Sequence, residues 1–167
     1  SLKDTCQITF LSPEENGCIA PAKIAEAITP QTRMLVFSAA NNETGVKNDL
    51  EAISALALQH NLILIVDAVA IWCKENFRIP AGVAAAVFSG HKIHGPAGIS
   101  LVYLRKGQTI LPLVHGGQQE YSRRAGTENL PAVIGLEAAV KLGYENLLAN
   151  QVHMSNLQAH FEKELRK

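Results

Sequence analysis

The sequence predicts an α/β fold, a mainly parallel sheet with helices on both faces. Three observations carry this reading. Short apolar runs alternate with helix-period patterns through the first half of the chain, the order that right-handed strand–helix–strand crossovers produce. One run, Leu62 to Val66, is apolar throughout, as a strand covered on both faces is. Polar clusters follow the runs, at the strand exits where open α/β sheets keep their ligand-binding groups.

The elements follow in order. Gln7 to Leu11 alternates polar and apolar residues and is predicted as a strand. Pro21 opens a short helix that carries Ile24, Ala27 and Ile28 and ends at Thr29-Pro30. Met34 to Phe37 is the next strand. Asn48 with Glu51 forms a capping box for a helix whose Leu50, Ile53 and Ala57 share a face, and Asn61 closes it. Leu62 to Asp67 is the strongest strand. Val83 to Phe88 and Ile99 to Leu104 supply two more. Helical patterns follow from Asn129, first with Val133, Leu136 and Val140 on one face, then with Leu157, Phe161 and Leu165.

The chain has 167 residues, 47% of them hydrophobic and 18% charged, which suits one domain with a sizeable core. Fifteen basic and fifteen acidic residues leave no net charge. That excludes a general nucleic-acid binder, which needs a basic footprint. No apolar run is long enough to span a membrane. Cys6, Cys18 and Cys73 are odd in number and form no CxxC pair, so neither a disulfide framework nor a structural zinc site is expected. A reducing setting follows: the cytoplasm, or the mitochondrial matrix in a eukaryote. Ser1-Leu2-Lys3-Asp4 is not a signal sequence. The absence of an initiator Met and a last helix without a cap predict a segment of a longer protein.

Chemistry concentrates in Ser89-Gly90-His91-Lys92-Ile93-His94-Gly95-Pro96-Ala97-Gly98, between two apolar runs. A lysine just past a buried strand can lose hydration, which frees its amine to form a Schiff base with an aldehyde. Gly95, Pro96 and Gly98 fix the loop, and Ser89 and His91 can donate hydrogen bonds to an anion. The alternative is an ordinary solvated basic loop. Asn41-Asn42-Glu43-Thr44-Gly45 reads alone as a turn, and Asp67 alone as a cap. Taken together, a strand-end Asp and a loop Lys on a parallel sheet suit pyridoxal 5′-phosphate. The amine holds the aldehyde and the carboxylate pairs with the protonated pyridine nitrogen.

Five stretches resemble one family. They are Val66-Asp67-Ala68-Val69, Ser89 to Pro96, His115-Gly116-Gly117-Gln118-Gln119-Glu120, Asn41 to Gly45, and Arg123-Arg124-Ala125-Gly126-Thr127-Glu128-Asn129. In order and spacing they resemble the cysteine desulfurases of the NifS and IscS kind, pyridoxal-phosphate proteins of fold type I related to class V aminotransferases. The resemblance implies that Lys92 is the Schiff-base lysine and moves the substrate α-proton. It implies that Asp67 partners the pyridine nitrogen, that Ser89 and His91 bind the phosphate, and that Asn42 lies against cofactor and substrate. Thr127 is implied to reach the phosphate of the other subunit, which makes a homodimer. The implied reaction converts L-cysteine to L-alanine and leaves persulfide sulfur for iron–sulfur cluster assembly or tRNA thiolation, through a sulfur-acceptor protein. No nucleic-acid or membrane partner is implied.

The chain departs from that pattern in places. Ala70 stands where the family usually has a Gln that contacts the ring hydroxyl, a loss of roughly 1.5–3 kcal/mol for a hydrogen bond to a charged oxygen. Trp72 and Cys73 follow where small or polar residues are usual. None of the three cysteines matches the persulfide-forming position, and Cys18 and Cys73 read as small core or loop residues. Residues 1–128 are therefore expected to be part of a cofactor-binding large domain, and 129–167 a helical continuation toward a small domain. As a fragment without the catalytic cysteine, the chain alone is expected not to turn over cysteine. Two alternatives stay open. One is a selenocysteine lyase or another class V aminotransferase. The other is a non-catalytic remnant or dimerising module of the same fold.

Overall fold

A computed structural model of the chain describes residues 6–167. Five helices and four strands are present among them: α1 (Pro21–Ala27), β1 (Met34–Ser38), α2 (Leu50–Gln59), β2 (Ile63–Asp67), β3 (Val83–Ser89), β4 (Ser100–Leu104), α3 (Gln119–Ser122), α4 (Leu130–Glu145) and α5 (Leu147–Leu165). A 3-10 turn, Gly90–Ile93, follows β3 directly. The strands form one sheet in the order β1-β2-β3-β4. The described residues divide into two compact units, one of residues 6–68 and 79–86, the other of residues 69–78 and 87–167.

In the first unit β1 and β2 run parallel, with Met34 opposite Ile63 and Ser38 opposite Asp67. Apolar residues fill β2 from Ile63 to Val66, as parallel strands often show. Only one face is fully covered, however. Leu64 and Val66 are inaccessible, while Ile63 is 41% exposed and Val36 on β1 is 66% exposed. The expected burial on both faces of β2 is thus corrected to one. The covering layer is α2, which buries Leu50, Ile53 and Ala57 as its apolar spacing predicts, together with Ser54.

Ser54 is the buried polar side chain of this face, and its hydroxyl accepts the N–H of Gly82 at 2.8 Å. A Cβ on Gly82 would overlap the carbonyl oxygen of Ser54, so α2 and the approach to β3 meet backbone to backbone. The cap of α2 differs from the sequence expectation. Asp49, not Asn48, is the N-cap and accepts the N–H of Ala52 at 3.0 Å. Asn48 instead ties two segments, accepting from Ile19 N at 3.1 Å and donating to Ser38 O at 3.0 Å. Asn61 closes the helix as expected, in the left-handed conformation that asparagine tolerates.

Gln7 to Leu11 is not a strand. Alternation alone does not make one. A strand needs a neighbour to pair with, and Ile8 and Phe10 are instead exposed, at 42% and 79%.

In the second unit Trp72 and Phe77 pack around Phe88, with ring centroids 5.0 Å and 6.3 Å away. Helix α4 starts at the N-cap Asn129, whose side chain accepts from Ala132 N, with Pro131 in the first turn. Its buried positions are Ala132 and Ala139. The packed face is therefore rotated from the one predicted, and Val133 lies 45% exposed. Small residues won this face because the neighbouring loops come close to the helix axis. In α5, Leu157, Phe161 and Leu165 share a side as predicted but are 50%, 62% and 70% exposed.

Replacing Ser54 by Ala removes the partner of a buried N–H. The expected loss is about 1–3 kcal/mol in the free energy of unfolding, measured by urea denaturation. A loss within error would show that water satisfies Gly82 instead.

Candidate functional site

In the first unit two site candidates stand at one edge of the sheet. Asp67 ends β2, opposite Ser38 at the end of β1, and Asp67 O accepts the N–H of Ala39 at 2.8 Å. The loop after β1 is built by Asn41. Its side-chain oxygen accepts the N–H groups of Glu43 and Thr44, both at 2.9 Å, and its backbone pairs with Val46 and Gly45. Gly45 takes the positive φ of 72° that this turn requires. Asn42 sits at the tip, exposed, with no side-chain partner among the described residues. The turn reading of this stretch and the site reading are thus compatible. Asn41 makes the turn and leaves Asn42 facing outward.

In the second unit β3 ends at half-buried Ser89, and the chain enters the 3-10 turn. Ser89 Oγ lies 2.9 Å from His91 Nδ1. This bond orients the imidazole toward the same side as the hydroxyl. Gly90 N donates to Ile99 O at 3.1 Å, and Gly90 O accepts from Gly95 N at 2.9 Å, so the loop is closed twice on one residue. His94 reverses the chain with a φ of 65°. Ile93 is the buried anchor of the turn, and Lys92 is exposed, its ammonium without a partner among the described residues. Exposed Lys92 keeps its hydration, so the desolvation expected of a lysine just past a buried strand is corrected.

Thr127 is exposed on the segment before α4. That segment is shaped by two features that the sequence pattern did not reveal. Glu120, Tyr121 and Ser122 all adopt left-handed φ, at 50°, 54° and 62°, so the short α3 winds against the usual hand. Gln119 Oε1 then accepts from Gly126 N at 3.3 Å, and Ala125 N donates to Val114 O at 3.1 Å. The run His-Gly-Gly-Gln-Gln was the available signal, since glycines and amides cluster where the backbone leaves ordinary geometry.

The segment after Asp67 carries the departures. Ala70 is half-buried, and its carbonyl takes the Lys74 ammonium at 3.1 Å. Gln151 of α5 donates to Lys74 O at 3.0 Å. Cys73 is buried with a φ of 55°. Burial pushes its thiol up from the ordinary value of 9.0, with Lys74 acting weakly the other way. Tyr144 is raised as well, first by burial and then by Cys73. Cys18 is half-buried and its thiol donates to Lys47 O at 3.3 Å. Both cysteines are thus built into packing, as expected. No group of His, Cys, Asp and Glu side chains among the described residues is placed to hold a metal ion. No described helix is long and apolar enough to cross a membrane.

The family model described as aminotransferase class-V matches residues 1–167. The chain belongs to the aminotransferase class-V family. Among curated members, cysteine desulfurase IscS of Dictyoglomus turgidum is 32% identical over 166 residues, 96% of this chain and 41% of that protein. Among solved structures, a NifS-like protein superposes with a TM-score of 0.94 at 30% identity, over 99% of this chain and 46% of that one. SspA in complex with cysteine is 35% identical with a TM-score of 0.75, over 80% of this chain and 39% of its own. The chain therefore spans less than half the length of the class-V relatives it matches. Their fold bears out the α/β architecture and the fold-type-I likeness read from the sequence.

Cys73 and Tyr144 set an expectation for alkaline stability. Each is neutral when folded and has a raised folded pKa, so the stability tied to them is fully present below the unfolded values of 9.0 and 10.0. It is lost as pH rises past those values, because the unfolded chain ionises first. Urea midpoints from pH 7 upward should fall above pH 9, and Cys73→Ala should flatten the first part of that fall. An unchanged slope in the variant would overturn the assignment.

Proposed function

We propose that this chain is the cofactor-binding part of a pyridoxal-phosphate-dependent cysteine desulfurase. The observation that supports it best is the turn after β3, where a Ser89–His91 pair at 2.9 Å stands beside Lys92, an amine with no partner among the described residues. The donor set fits the group chemically. A hydroxyl and an imidazole suit a phosphate, an unengaged amine suits an aldehyde, and a strand-end carboxylate suits a protonated pyridine nitrogen. Ala70 offers no side-chain donor to the ring hydroxyl.

Pyridoxal phosphate, when bound, supplies the electron sink that lets an amino acid lose its α-proton. The protein's residues do the rest. Lys92 would hold the group through its aldehyde, and its amine would serve as the base for the substrate α-proton. Asp67 keeps the pyridine nitrogen protonated, which its negative charge favours. Ser89 and His91 fix the phosphate, so that the reacting atoms stay at the lysine. Asn42 orients substrate from the loop after β1, and Thr127 reaches the phosphate of a partner subunit in a homodimer. The substrate is L-cysteine, a choice supported by the relatives' names and by the solved complex of SspA with cysteine. The sulfur goes to an acceptor protein for iron–sulfur or thiolation chemistry.

Absorbance after adding pyridoxal phosphate, followed by borohydride fixation and peptide mapping, tests the reading. The label should sit on Lys92 and be lost in Lys92→Ala. A folded chain that takes no label at Lys92 would sink it.

A further inference from the structure

Gly135 lies in the middle of α4, where alanine is the better helix former. The reason for a glycine there is visible across the interface. A Cβ on Gly135 would lie 2.6 Å from Pro96 Cγ and 3.0 Å from Pro96 Cδ. Pro96 is a rigid ring, so it cannot rotate away as a flexible side chain could. It also belongs to the loop that carries Lys92. Next to it, Gly95 donates to Gly90 O at 2.9 Å, and Gly90 donates to Ile99 O at 3.1 Å. Gly90 is itself pressed on α4, where a Cβ would lie 3.0 Å from Leu136 Cδ1. Lys92 sits inside this closed ring of contacts, so a push on Pro96 is passed through Gly95 and Gly90 to the turn that bears the amine.

We propose that Gly135 is a positioning residue for Lys92. Its missing Cβ sets how deeply the 90–99 loop seats on α4, and so where Nζ stands. This rests on the reading of Lys92 as the amine that holds pyridoxal phosphate.

The test uses the full chain in four forms: wild type, Gly135→Ala, Pro96→Ala and the double variant. Each is assayed for the rate of borohydride-fixed pyridoxal phosphate at Lys92, and for folding by circular dichroism and thermal melting. Gly135→Ala should label about tenfold more slowly, since an ångström-scale misplacement of a reacting group is costly. The double variant should recover the rate of Pro96→Ala, because that change removes both atoms that the new Cβ would meet. If Gly135→Ala fails to fold, a double variant that folds and labels supports the proposal, and one that also fails to fold overturns it. Gly135→Ala labelling at the wild-type rate overturns it, as does a folded double variant no faster than the single. Either leaves the reading of Lys92 standing. A wild-type chain with no label at Lys92 overturns both.

Discussion

Gly90 is the point on which the second unit turns. Its N–H and its carbonyl are both used, one on Ile99 and the other on Gly95. It is buried, and an added Cβ would meet Ile99 O and Leu136 within about 3 Å. The loop between β3 and β4 is therefore closed by backbone alone, at the one residue type that leaves room for it. That closure frees the neighbouring side chains. Ser89 and His91 need only each other, and Lys92 needs nothing from the loop's own structure.

The first unit solves a similar problem with side chains. Asn41 supplies the hydrogen bonds of the loop after β1, and Asn48 ties that loop's base to Ser38 and Ile19. The parallel pairing of β1 with β2 then fixes the level at which Asp67 ends. Burial here is satisfied throughout. No buried side-chain nitrogen or oxygen among the described residues lacks a partner, including Ser54 against Gly82. A polar group unpaired there would cost about 1–3 kcal/mol, enough to matter against a marginal fold.

Much of this was legible in the sequence, because the strongest signals are local. The runs Met34–Phe37, Leu62–Asp67, Val83–Phe88 and Ile99–Leu104 became β1 to β4 within a residue at each end. Pro21, Asn129 and Asn61 marked helix ends through their own backbone preferences. What failed depends on neighbours. Gln7–Leu11 has the alternation of a strand but no strand partner among the described residues. Asn48 and Asp49 are equally suited to cap α2, and only the path of the chain chooses between them. The face of α4 was misjudged because its contacts are set by Pro96 and Cys73, which come within 3 Å of where a Cβ on Gly135 or Gly143 would lie. A large apolar residue marks a packed face by its own hydrophobicity. A glycine marks one only when the opposite surface is known. The left-handed turn at Glu120–Ser122 was hidden for the same reason, since none of those residues favours that conformation by itself.

The cysteines complete the division of labour. Sulfur transfer by a protein thiol requires the thiolate, which positive neighbours and exposure favour and burial opposes. Cys73 is buried and its pKa is raised, with the nearby Lys74 ammonium outweighed by desolvation. The Lys74 ammonium is also engaged with Ala70 O. The Cys18 thiol donates a hydrogen bond to the Lys47 carbonyl. Both environments suit packing, and burial at Cys73 disfavours nucleophilic sulfur. Asp67 ends β2, and Lys92 stands on the turn that follows β3, neither of them beside Cys18 or Cys73 in sequence.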